Sequence, residues 1–100
     1  MKIITLCGST KFKKEFEDWN KNLTLQKNIV LSVVLFSHED NHKLSIEEKN
    51  IFFEMHKKKI DISDEIFVID VDGYIGESTK KEIEYAKSKG KKVIYLSQIS

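Results

Sequence analysis

The sequence predicts a small α/β fold: a doubly wound, flavodoxin- or Rossmann-like parallel sheet of four strands in order 2-1-3-4, with helices on both faces. Three observations predict it. Four short β-type runs alternate with three longer helix-type segments, the runs are rich in Ile and Val, and turn or cap residues fall between them. Right-handed crossovers between parallel strands then place the switch point between the first and third strands.

The elements follow in order. Lys2 to Cys7 is an apolar run of strand length stopped by Gly8. Ser9 or Thr10 caps a helix carrying Phe12, Phe16, Trp19 and Leu23, spaced four, three and four apart on one face. Ile29 to Phe36 reads as the second strand, followed by a polar stretch from Ser37 to Leu44. Ser45-Ile46-Glu47-Glu48 is a capping box that opens a helix with Phe53, His56 and Ile60 inward. Glu65 to Asp70 is the third strand. After a glycine-containing loop, Thr79-Lys80-Lys81-Glu82 reads as a second capping box, with Thr79, Ile83 and Ala86 as the inward stripe of its helix. Gly90 ends that helix, and Val93 to Leu96 is the fourth strand.

Composition bounds the function. One hundred residues, 40% hydrophobic and 33% charged, describe a single globular domain over 1–100. A net charge of +1 makes no case for a nucleic acid polymer or a membrane surface. All 17 basic residues are Lys, so no bidentate Arg clamp on phosphate exists. The lone Cys7 excludes an internal disulfide, and the apolar N-terminal run is too short for a signal peptide, so a cytoplasmic location is expected.

In such a sheet, ligands sit beyond the carboxyl ends of the strands, near the switch point. Three loops converge there: Gly8 to Lys11, Ser37 to Lys43, and Asp70 to Thr79. Gly8 admits close backbone approach, and the helix start after it favours an anion, with hydroxyls from Ser9 and Thr10 and a charge from Lys11. The Asp70-to-Thr79 loop gathers Asp70, Asp72, Gly73, Tyr74, Gly76, Ser78 and Thr79. Glu82 follows one turn into the helix. It either completes the capping box with Thr79 or looks into the crevice.

These motifs, Cys7-Gly8-Ser9 after the first strand, Asp64 before the third, and a Gly-hydroxyl loop ending in Glu82 with Ala86, resemble the nucleoside 2-deoxyribosyltransferase-like superfamily. The resemblance extends to its deoxynucleoside 5′-monophosphate N-hydrolase branch. It covers essentially the whole chain and implies an N-glycosidase or deoxyribosyltransferase acting on a nucleoside or its 5′-monophosphate. Glu82 would be the nucleophile. Cys7, Gly8, Ser9, Thr10, His38, Asp70, Gly76, Ser78 and Thr79 would face the substrate, and a homodimer would complete the site. Where the hydrolases carry a second carboxylate, about two helical turns before the aspartate preceding strand three, this chain has His56.

Cleaving an N-glycosidic bond passes through an oxocarbenium-like state that a carboxylate can trap at C1′. A general acid must protonate the departing base, and Asp72, Asp70, His56 and Glu77 are all candidates. The implied chemistry needs no metal or organic cofactor. His38-Glu39-Asp40-Asn41-His42 spells a zinc-protease signature, but it follows a strand and contains helix-disfavouring residues, so it reads as a solvated loop. The Lys57-Lys58-Lys59 run reads as a solvated helix face, and Trp19 and the Phe residues as core. The alternative to an enzyme is a non-catalytic nucleotide-binding protein on the same fold.

Overall fold

A computed structural model describes residues 1–34 and 44–99. Four strands form one sheet in the order β2-β1-β3-β4: β1 (Ile3–Gly8), β2 (Ile29–Leu31), β3 (Glu65–Ile69) and β4 (Lys92–Tyr95). All three pairings are parallel, so the order and direction expected from the sequence are those observed. The helices are α1 (Lys13–Leu25), α2 (Ile46–Asp61) and α3 (Glu77–Ser88). Among the described residues, no helix is long and apolar enough to cross a membrane.

Alternation along the two central strands divides the core. Ile4 and Leu6 of β1, with Phe67 and Ile69 of β3, face α1 and pack on Phe16 and Leu23. Trp19 lies on Phe67 with ring centroids 5.0 Å apart. Cys7, Ile66 and Val68 face the opposite way and pack on Ile60 of α2 and on Ile83 and Ala86 of α3. Every residue of β3 is buried, as expected for a strand covered on both faces.

The register of β1 and β3 is held by Asp64. Its carboxylate accepts from Ile3 N at 2.7 Å, and its own N–H donates to the Ile3 carbonyl at 2.8 Å. At the other end of β1, Gly8 is required by close approach: a Cβ there would lie 2.8 Å from the Ile69 carbonyl oxygen.

The ends of β1, β3 and β4 lie one residue from those read off the sequence, and three further boundaries differ in kind. The β2 ladder ends at Leu31, opposite Thr5, and the Ser32 carbonyl accepts from Lys59 Nζ at 2.6 Å instead of continuing the sheet; residues 35 and 36 of the expected strand lie outside the described residues. Ser9 caps a short 3-10 turn, Thr10–Phe12, before α1 begins at Lys13. The third difference bears on the site. Ser45 and Glu48 form the expected capping box of α2, but Thr79 and Glu82 form none, because α3 starts three residues earlier, with Gly76 as its N-cap and no side-chain cap. Thr79 and Glu82 are instead buried positions on the inward face of α3.

Candidate functional site

The carboxyl ends of β1 and β3 open into a cavity of about 450 Å³ at the switch point. One wall is the first loop, Gly8-Ser9-Thr10, and another is the start of α3, from Gly76 to Thr79. A third is the α2 face carrying Phe52, Phe53, His56 and Lys59, and Val33 and Val34 close the side beyond β2. Glu82, one and a half turns into α3, reaches the same space.

Glu82 is only 6% exposed, and His56 only 4%. His56 Nε2 stands 3.6 Å from Glu82 Oε1 and 3.3 Å from Cys7 Sγ. Burial raises the Glu82 carboxyl to about 8, with a hydrogen bond from Cys7 pulling modestly the other way. Burial lowers His56 to about 4, helped by the positive charge of Lys59. Cys7 is pushed well up, first by burial and then by Glu82. At neutral pH the three therefore face one another as a carboxylic acid, an imidazole and a thiol. The 3.6 Å approach would be an ion pair only after a proton moved from Glu82 to His56. Glu82 Oε1 and His56 Nδ1 have no hydrogen-bond partner despite their burial, which is costly unless a ligand supplies one.

The structure thus brings together Gly8, Ser9, Thr10, His56, Gly76, Ser78, Thr79 and Glu82. Cys7 is fully buried behind the cavity and does not line it, because β1 alternation turns it toward α2 and α3. Asp70 also stays away. Its carboxylate accepts from Ser97 N at 2.9 Å and Ser97 Oγ at 2.6 Å, tying the end of β3 to the chain after β4. Asp72 is an exposed residue of the Val71–Gly73 turn, with φ of 54°, and it does not line the cavity. The Lys11 ammonium lies 3.5 Å above the Tyr74 ring rather than in the site. His38 and the whole of residues 38–42 lie outside the described residues.

Two residue types escape the sequence reading. Lys59 belongs to a run that reads as a solvated face, yet it is half-buried and lines the cavity; its spacing of three from His56 places both on one side of α2. Phe52 and Phe53 read as core but are wall residues, only partly buried. Among the described residues, Cys7, His56 and Glu82 form the donor set able to hold a metal, all three ligand atoms lying within 4.8 Å of one another. The chain matches no protein-family model, no curated protein and no solved structure.

Proposed function

We propose that the cavity takes a nucleoside or nucleoside 5′-monophosphate and that Glu82 cleaves its N-glycosidic bond. The observation that carries this reading is a buried carboxyl with an unpartnered oxygen, set in a cavity at the strand ends. The apolar and aromatic wall of Val33, Val34, Phe52 and Phe53 suits a base and a sugar face. The polar side, with Ser9, Thr10, Ser78 and the uncapped start of α3, suits a phosphate.

The resting protonation states have to be exchanged for this chemistry, against the direction in which burial holds both groups. Glu82 must ionise before it can attack C1′, and His56 Nε2 is the neighbouring base at 3.6 Å. Transfer of the Glu82 proton to His56 creates carboxylate and imidazolium together. As Glu82 forms its bond to C1′, the C1′–N bond breaks and the imidazolium gives that proton to the departing base. Water then attacks C1′, its proton passing to His56, and Glu82 leaves as carboxylate. Of the four candidate acids, His56 and Glu77 line the cavity, and Glu77 is largely exposed. His56 is therefore the acid in this reading.

A second reading is favoured by one feature: at neutral pH Glu82 is held protonated and can simply donate a hydrogen bond to a ligand. One experiment separates the two. Free base is followed by chromatography from a panel of ribo- and deoxynucleosides and their monophosphates. Cleavage predicts release by the wild type and a loss of about a thousandfold or more in Glu82→Gln, with binding within several-fold. Binding without release from any member leaves the non-catalytic reading in place, and release that persists in Glu82→Gln removes Glu82 as nucleophile.

A further inference from the structure

We infer that Cys7, His56 and Glu82 form a binding site for a zinc-class divalent cation, with the fourth coordination position open to the cavity. This inference rests on the three side chains and stands apart from the cleavage reading.

Geometry comes first. In a tetrahedral zinc site, bonds of about 2.0–2.3 Å set neighbouring donor atoms about 3.3–3.6 Å apart. Cys7 Sγ and His56 Nε2 are 3.3 Å apart, and His56 Nε2 and Glu82 Oε1 are 3.6 Å apart. The donors come from three different elements, β1, α2 and α3, so the fold itself assembles the set. Glu82 Oε1 is buried, unpartnered and 3.6 Å from His56 Nε2, and a Glu82 carboxylate oxygen lies within 4.8 Å of Cys7 Sγ.

Charge supports the same conclusion. Three ligand-type side chains are buried together, with Glu82 Oε1 and His56 Nδ1 lacking hydrogen-bond partners, a costly arrangement. A divalent cation changes that balance. Cys7 and Glu82 each lose one proton, His56 coordinates as neutral imidazole, and the two negative charges cancel the two positive ones. The resulting complex is electrically neutral, so neither burial nor the nearby Lys59 ammonium opposes it. A thiolate and an imidazole also select zinc or cobalt over magnesium or calcium, which prefer all-oxygen shells. Cys7 closes the set from behind, while His56 and Glu82 line the cavity. The open position therefore points to water or to a bound molecule. In a protein that cleaves through Glu82, such an ion occupies the nucleophile and inhibits.

Cobalt(II) titration of chelator-treated full-length protein tests this without turnover. The expected result is saturation at one ion per chain, intense visible bands of four-coordinate cobalt, a thiolate-to-cobalt charge-transfer band, and displacement of cobalt by zinc. Cys7→Ser should abolish the charge-transfer band and weaken zinc more than about a hundredfold, beyond the effect of losing an outer partner. Glu82→Gln, nearly the same shape, should keep the band but weaken zinc. Circular dichroism checks each fold, and Cys7→Ala replaces Cys7→Ser if the latter does not fold. Absence of saturable binding, a weak six-coordinate spectrum without the thiolate band, or zinc affinity unchanged in both variants would each overturn the site. Base release is unaffected by those outcomes, so cleavage and metal binding fail separately.

Discussion

Glu82 occupies a position where its own charge works against the fold. Its carboxyl ionises near 4.5 when unfolded and near 8 when folded, because burial disfavours the anion. The unfolded chain releases that proton first, so stability present at low pH is lost as pH rises toward 8. His56 has the opposite slope: held near 4 instead of 6.5, it lowers stability as pH falls through that range. Above about pH 7.5 His56 is neutral in both states, and between pH 6.5 and 7.5 its opposing contribution is only about 0.4 kcal/mol, so Glu82 dominates. In metal-free protein, wild type should lose about 1 kcal/mol between pH 6.5 and 8, and Glu82→Gln should lose none of it. Urea unfolding midpoints at several pH values check this. A wild type that gains stability over that range would mean that the folded protein welcomes the Glu82 anion. How much of this was legible in the sequence differs by residue. Glu82 stood out by its place after a glycine-hydroxyl loop. Its convergence with Cys7 and His56 did not, because Cys7 and His56 are separated by 49 positions, and only the alternation of β1 against the inward faces of α2 and α3 joins them.

At the level of elements, strands and helices were readable because hydrophobic period and turn residues agree along most of the chain. The start of α3 was not. Thr79-Lys80-Lys81-Glu82 has the spelling of a capping box, but Gly76 takes the extended N-cap conformation, and burial of Thr79 and Glu82 against the sheet moves the helix start upstream. That shift leaves the first N–H groups of α3 without a side-chain cap beside the cavity, where an anion gains from both the free donors and the helix dipole. Accordingly, a nucleoside 5′-monophosphate should bind more tightly than its nucleoside by about 1.5–3 kcal/mol, the range for hydrogen bonds to a charged group. Calorimetry with matched pairs measures the difference. Equal affinities would remove phosphate from the ligand.

Across the whole molecule, α2 leaves one apolar stripe uncovered. Ile51 and Met55 of α2 and Ile62 at its C-cap are each at least half exposed, and Met55 also borders the cavity. A second copy packed there would bury the stripe and extend the cavity wall, within the roughly 1,200–2,000 Å² of a stable interface. Light scattering at tens of micromolar should give twice the 11.7 kDa chain mass, and Met55→Lys should return the monomer. A wild-type monomer at that concentration rules the pairing out. The clamp between Asp64 and Ile3 has a different consequence, in time rather than in space. It joins residues 61 positions apart, and among the described residues every strand pairing is parallel, with no hairpin that could form locally. Because β1 and β2 are neighbours only at the edge, the central pairing of β1 waits until β3 has been synthesised. On the ribosome, the first strand therefore emerges as an apolar segment without its main partner for more than half the chain. Asp64→Ala should then slow refolding more than it speeds unfolding, since the contact it removes helps close the long loop that the central pair requires.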